Sequence, residues 1–498
     1  MTQSMPPRKT DPIVIVGAGI FGLSTALHLC KRGYKNVTVL DKQPYDETLY
    51  SYFKGADAAS ADINKIVRSA YGSQKEYQDL SSEAIPEWHA WNAELKAGTL
   101  VPPGMSTSDA VFVPNGCISL STSVEIPPWE LACIEEMEKS GYKDTQLATL
   151  IPSHQEIAAQ KGLKSFMDPF QRERRGKTPN TGVLDSTGGT AFADKACRFA
   201  LHKARGMGAK FIFAEQAGCM KELCYDESRV IGVKTQDNQF HPAAMTILAC
   251  GGWTPVLLPE LDALCEATAG SVMMFKIPQS SPLWDRLDTD KFPTWMWNMR
   301  NGAEGGLYGF PRDENGWFKV GYRGTKYTNP LRQSDGKERS TPITRWSFPE
   351  KEENESTGSK FTSFPQQAHE VLTGFLNEYL PELAEEGINA CLTRICWYTD
   401  TFDNHYVVDR VPQKDGLMVA TGGSGHAFKF LPNIGNWVVD IMEQIELDRP
   451  AVKAWRWRSV GAEQPVNALM EGCSGPRALS NIGLLQEVPF QSQIHARL

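Results

Sequence analysis

The tightest constraint on the fold lies close to the N-terminus. Residues 13–16 are a β-branched apolar run, followed at once by Gly17-Ala18-Gly19-Ile20-Phe21-Gly22 and a helical pattern reaching Leu29. Gly33 stops that helix, and a second apolar run over residues 37–40 delivers Asp41, 19 residues after Gly22. Strand, glycine turn, helix, strand and acid in register form the fingerprint of a dinucleotide-binding βαβ unit. Gly17 permits the tight turn, Gly19 lets a pyrophosphate approach the backbone, and Gly22 lets helix pack on strand. The helix N-terminus supplies positive potential, and Asp41 is placed to accept from ribose hydroxyls.

A chain of 498 residues exceeds a single hydrophobic core, which implies two domains. The formal charge of −8 weighs against nucleic acid as a main partner, because phosphate binding needs a basic surface. No apolar run approaches the ~20 residues of a membrane-spanning helix. The polar opening MTQSMPPRKTDP lacks the apolar core of a secretory signal, which reads as an intracellular chain. Eleven cysteines without CxxC or Cys/His spacing read as buried thiols, with no metal site and no disulfide framework. The terminal Ala496-Arg497-Leu498 resembles a peroxisomal address, with the cytoplasm as the alternative.

A second stretch, residues 391–435, reads as the other half of a cofactor site. It sets Cys396 beside Trp397 and Tyr398, follows with an apolar run ending in glycines at residues 417–423, and closes on Lys429 between Phe428 and Phe430. Between the two halves, residues 55–61 are small enough for a close-approach loop. Asn64, Lys65 and Arg68 follow on what reads as a helix start. Lys65 and Arg68, three apart, share a face there that is either functional or simply solvated. Residues 77–95 have an amphipathic helical pattern. Residues 245–249 form an apolar run into Cys250-Gly251-Gly252-Trp253, a further sheet edge expected to meet the cofactor. The strand-rich region from about residue 272 to 324 carries Lys319 at the centre of an alternating segment, residues 317–322. A lysine there is costly unless it is functional or reaches solvent. Residues 337–363 are charged and read as an exposed loop.

Taken together, IVIVGAGIFGLSTALHL, DINKIVRSAYG, ACGGW, GLYGFP…FKVGY, CWYTDT…HYVVDR and GGSGHAFKFLPNIG resemble the flavin-dependent amine oxidases of the monomeric sarcosine oxidase and fructosyl amino acid oxidase group. Fungal pipecolate and saccharopine oxidases and ring-forming oxidases of alkaloid pathways belong to it too. The resemblance covers about residues 11–445. It implies an α/β fold in which a Rossmann-type, glutathione-reductase-like FAD domain (residues 1–100, 180–257 and 398–445) interleaves with an α+β substrate domain (101–179 and 258–397) built on a mixed antiparallel sheet. Residues 446–498 are left as an extension. The implied cofactor is FAD, joined through its 8α-methyl to the sulfur of Cys396. Besides the glycine turn and Asp41, the implied cofactor contacts are Ile20, Phe21, Lys42, Asn64, Lys65, Ile66, Gly425, Phe428 and Lys429.

The same resemblance implies that Lys319 activates O₂, that Arg68 and Lys429 hold a substrate carboxylate, and that Tyr398 lines the pocket. The implied partners are a small-molecule amine and O₂, acting on a monomer. Two departures bear on the substrate. Arg323 stands where sarcosine oxidases have histidine, and His426 stands where fructosyl amino acid oxidases have arginine. His426 is read either as part of the site or as a satisfied structural histidine. These residues point to oxidation of a secondary amine, most simply an N-methyl or N-alkyl amino acid, to an imine with release of H₂O₂. Fructosyl amino acid, pipecolate and saccharopine oxidation are the alternatives. A nicotinamide dehydrogenase and a non-catalytic flavin-binding module are the rivals of other kinds.

Overall fold

A computed structural model of the chain describes residues 5–344, 363–461 and 464–486. Its first sheet has six strands in the order Val407–Arg410, Leu417–Thr421, Met245–Leu248, Pro12–Val16, Asn36–Asp41 and Lys210–Phe213. All neighbours are parallel except Val407–Arg410 with Leu417–Thr421. Because side chains alternate along a strand, Ile13 and Ile15 face one side and Val14 and Val16 the other. The first side is buried under helices Ile20–Lys31, Ala193–Gly206 and Ile434–Glu443. The second packs on the three-stranded sheet Met220–Asp226, Arg229–Thr235 and Phe240–Pro242. Burial on both faces explains why these strands are continuous apolar runs.

The second sheet has eight strands: Ala390–Thr401, Cys265–Lys276, Trp317–Tyr327, Leu307–Gly309, Thr294–Trp297, Cys117–Ser121, Thr181–Asp185 and Gln146–Ala148, in that order. It is antiparallel except where Thr294–Trp297 runs parallel to Cys117–Ser121. Helix Gln366–Tyr379 seals its core through Leu372, Phe375 and Leu376.

Three expectations change. The stretch read as a helix start is a strand, Lys65–Val67, paired antiparallel with Gly189–Ala191. β-Branched Ile66 and Val67 favour that conformation once an edge is available. Lys65 and Arg68 therefore share no helical face. Residues 337–363 are not wholly loop, because Glu338–Ser340 pairs with Pro330–Arg332. Residues 345–362 lie outside the described residues, as does the C-terminal tripeptide. Finally, Ala390–Thr401 and Thr181–Asp185 belong to the eight-stranded sheet, so domain edges at 397/398 and 179/180 do not match the strands. Among the described residues no helix is long and apolar enough to cross a membrane.

Candidate active site

One cleft of about 500 Å³ is lined by residues from both sheets. Its wall includes the glycine turn, through Gly17, Gly19, Ile20 and Phe21, and also Asp41 and Lys42. Gly17 has φ +104°, and a Cβ on it would lie 2.4 Å from the Ala249 oxygen. On Gly22 a Cβ would lie 1.8 Å from the Gly17 oxygen, so this third glycine packs the turn and stays out of the cleft wall. Gly19 is different, since the nearest atom to an added Cβ is the Ser60 hydroxyl at 3.3 Å. That leaves a backbone face on which a phosphate can settle. Asp41 accepts from the Ala18 and Gln43 amides at 2.8 and 2.9 Å. Burial raises its pKa against those bonds, and its free lone pairs suit ribose hydroxyls. Cys250, Gly251, Gly252 and Trp253 complete this part, with the Lys42 ammonium 4.0 Å from the Trp253 ring centre.

Cys396 lies buried in the wall of the same cleft, on the strand Ala390–Thr401 opposite Gly270. Burial alone would pull Lys65 and Arg394 toward neutrality, but Asp62, Asp57 and the nearby Cys396 sulfur hold both charged. Lys65 and Ile66 border the cleft. Asn64, expected to contact the cofactor, does not border the cleft: it is fully buried, with both side-chain amide atoms unpartnered among the described residues.

Lys319 is fully buried but does not itself border the cleft. Its ammonium donates to Asp62 Oδ2 at 2.8 Å and to the Asn64 carbonyl at 2.7 Å, and sits 4.6 Å from the centre of the Phe310 ring, which does border it. Lys65 donates to the same Asp62 oxygen at 2.7 Å. Burial would raise Asp62, but Lys319, Lys65 and Arg394 outweigh it and keep the carboxylate well below its usual range. Sharing that one anion, Lys319 is not fully compensated, and burial brings it down to about 7.

Arg68 and Lys429 meet around Tyr71. The Arg68 guanidinium stacks 4.1 Å from the Tyr71 ring centre, and Lys429 donates to the Tyr71 hydroxyl at 2.8 Å and to the His426 carbonyl at 2.6 Å. Their supports come from distant elements. Asp185 accepts from the Ser69 amide and hydroxyl at 2.6 and 2.8 Å, and the Trp88 indole, on helix Lys75–Lys96, donates to the Lys429 carbonyl at 2.8 Å. Burial first, then the Arg68 charge, pushes Lys429 well below the usual lysine range. A carboxylate arriving between them would oppose both causes.

His426 lines the cleft with every ring nitrogen engaged. Nε2 faces the Asn404 carbonyl at 3.1 Å, which can only accept, so Nε2 carries the proton. Nδ1 then accepts from the hydroxyls of Tyr71 and Tyr406, each at 3.2 Å. Burial and the Lys429 charge keep the ring neutral. His426 thus orients Tyr71, and through it Lys429. Tyr398 lines the cleft with its hydroxyl unpartnered among the described residues. Arg323, 5.9 Å from the Tyr398 ring centre, donates to the carbonyls of Ser424 and Gly425, both at 3.3 Å. Gly425 and Phe428 also border the cleft.

Residues 12–441 match the family described as DAO, FAD dependent oxidoreductase. The chain belongs to that family. It is 29% identical over 460 residues to the L-saccharopine oxidase of Schizosaccharomyces pombe, covering 90% of this chain and 93% of that protein. Against the monomeric sarcosine oxidase of Bacillus sp. it is 24% identical, covering 87% and 92%. A crystal structure of a modified fructosyl peptide oxidase from Aspergillus nidulans in complex with FSA matches with a TM-score of 0.75 and 25% identity, covering 96% of this chain and 99% of that one. As a DAO-family flavoprotein the chain uses FAD, and the open backbone at Gly19, the acceptor at Asp41 and the Tyr398 hydroxyl, unpartnered among the described residues, fit that cofactor.

The sequence motifs thus converge on one cleft. Asp62, Tyr71, Asp185 and Arg394 are the residues that sequence reading passes over. Asp62 and Tyr71 both lie inside the quoted DINKIVRSAYG motif, where an acid three residues before Lys65 and six before Arg68 is the available signal.

Proposed function

We propose that this protein is an oxidase of secondary amino acids, most simply N-methyl or N-alkyl amino acids, with FAD attached to the sulfur of Cys396. FAD, when bound, supplies a two-electron acceptor that takes hydride from an amine C–H bond and passes the electrons to O₂ as H₂O₂. The observation that carries this reading is the convergence of Arg68 and Lys429 in the flavin cleft with no protein carboxylate bonded to either among the described residues. A planar fork beside a point-charge ammonium suits an amino acid carboxylate.

With the carboxylate so held, the substrate's α C–N bond is confined near the cleft wall formed by Tyr398 and Cys396, and orientation replaces random encounter. The surrounding aromatic and buried side chains exclude water, so the amine is held neutral and its lone pair can assist departure of hydride. The resulting imine leaves for hydrolysis or is trapped internally. We assign Lys319 to the oxygen half-reaction, where a desolvated ammonium stabilises developing superoxide. The C-terminal tripeptide supports a peroxisomal location, where peroxide is disposed of.

Acid precipitation of the purified protein tests the linkage. Yellow colour should stay with the polypeptide, and Cys396→Ala should release it to the supernatant. Anaerobic mixing with sarcosine, pipecolate and N-alkylglycines tests the reaction. If FAD is bound yet no secondary amino acid bleaches it, the proposal fails.

A further inference from the structure

His426 is fixed by three partners, and two of them, the Asn404 carbonyl and the Tyr406 hydroxyl, come from one loop, residues 402–406. That loop is held by the part of the chain beyond the family match, which ends at residue 441. Arg458 forks onto the Asp403 carboxylate at 2.6 and 2.7 Å and donates to the carbonyls of His405 and Tyr406, both at 3.0 Å. The Asn467 main-chain amide donates to the Phe402 carbonyl at 3.0 Å. Its side chain does more: Nδ2 donates to the Thr401 carbonyl at 2.7 Å and to Asn404 Oδ1 at 2.8 Å, and Oδ1 accepts from Lys326 Nζ at 3.0 Å. The carbonyls of Thr401, Phe402, His405 and Tyr406 are thus claimed by the extension, and that of Asn404 is given to His426 Nε2. Asn404 has φ +65°, a left-handed conformation uncommon outside glycine, and the bond from Asn467 pins its side chain there. Neither Arg458 nor Asn467 borders the cleft.

Resting on the amine-oxidase reading above, we propose that this C-terminal extension is a working part of the substrate site, with Asn467 as a positioning residue that acts through Asn404, His426 and Tyr71 on Lys429. Each bond in the relay leaves the next group one role. Asn467 holds the Asn404 side chain, and the Asn404 carbonyl keeps the proton of His426 on Nε2. Nδ1 is left to accept from the Tyr71 hydroxyl, and the Tyr71 oxygen is left to accept from Lys429 at 2.8 Å. The His426 carbonyl takes a second position around Lys429 Nζ at 2.6 Å, so one position remains, and its direction is set for the substrate carboxylate. Release of Asn404 frees the ring to carry its proton on Nδ1, where it no longer accepts from Tyr71. The Tyr71 hydroxyl then turns, and Lys429 loses its aim. Through Lys326 the same Asn467 amide also reaches the strand Trp317–Tyr327, so a purely structural tie must be told apart from the relay.

The test uses the flavin-loaded protein and two ligands with no amine to oxidise, (methylthio)acetate and (methylthio)acetamide, read through the shift each causes in the flavin absorbance. In Asn467→Ala the ratio of affinities, carboxylate over amide, should fall by about tenfold or more, because an ill-aimed charge-assisted hydrogen bond is what is lost. Asn467→Asp keeps the size and the Lys326 contact but cannot donate to the Thr401 carbonyl, and should lose as much. With a secondary amino acid, KM should rise by about 10- to 30-fold while reoxidation by O₂ stays within about twofold of the parent rate. A structural tie gives a different pattern: both ligands weaken together, reoxidation slows with them, and Asn467→Asp behaves as the parent. Any of those results, or an unchanged ratio, overturns the proposal. The parent supplies a test that needs no variant. Saturating (methylthio)acetate should slow backbone hydrogen exchange in residues 402–406 and 464–470 by about two- to fivefold, since the coupling is reciprocal, and the amide should not. No protection by the carboxylate overturns the proposal even if neither variant folds. If the parent itself shows no preference for the carboxylate, the amino acid reading falls and this proposal with it. If the parent prefers the carboxylate and Asn467→Ala keeps that preference, only the positioning role is lost.

Discussion

Asp62 carries two bonded ammonium groups and a nearby guanidinium on a single carboxylate, and that ratio governs how Lys319 titrates. With its pKa lowered to about 7, Lys319 is charged below that pH and neutral above it. A step that needs the ammonium is therefore intact at low pH and fades as pH rises through about 7. Stopped-flow reoxidation of the reduced protein by O₂ between pH 5.5 and 9 should fall with a midpoint there, following the pKa that burial and Asp62 set for Lys319. Removing the anion disfavours the charged form, so Asp62→Asn should move the midpoint down by about one to three units. Lys319→Met should slow reoxidation by about 100-fold or more while anaerobic reduction by the amine stays near the parent rate. Equal reoxidation rates would remove Lys319 from the chemistry. Asp62→Ala, which leaves buried cations unpaired, should cost about 3–5 kcal/mol in urea unfolding.

At the scale of elements, the readable parts of the chain are those whose cause is local. The βαβ unit at residues 12–41 is fixed by neighbours in sequence, and so is helix Lys75–Lys96. Asp62, Tyr71 and Asp185 have partners 257, 358 and 116 residues away, and no local period reports them. The strand Lys65–Val67 escapes a local reading for the same reason, because its partner edge, Gly189–Ala191, lies in a different part of the chain. Helix contacts give a sharp test of this packing. A Cβ on Gly435 would lie 2.0 Å from the Ser24 carbonyl, so helices Ile434–Glu443 and Ile20–Lys31 could not keep their spacing. Gly435→Ala should destabilise by more than about 3 kcal/mol in thermal or urea unfolding. Gly374, within helix Gln366–Tyr379, has open space at its Cβ position, and Gly374→Ala should stabilise by about 0.5–1 kcal/mol.

Over the whole molecule, the cleft is closed by residues as far apart in sequence as Val16 and Lys429, so the cofactor is itself a cross-link between distant segments. The covalent attachment proposed at Cys396 would make that cross-link independent of free FAD, so the unfolding temperature of the parent should not respond to added cofactor. In Cys396→Ala the linkage becomes ordinary mass action, and stability should rise with FAD, by about 2.7 kcal/mol at one hundred times the dissociation constant. A differential scanning series with and without added FAD reads the difference. The two cationic sites also differ in how freely they can vary over evolutionary time. Lys319, Lys65 and Arg394 are bound into one account around Asp62, so an exchange at any of them strands the others. Arg323 holds on to main-chain oxygens that every residue type supplies. A lineage can thus trade that side chain in a single mutational step while the cluster around Asp62 is inherited untouched.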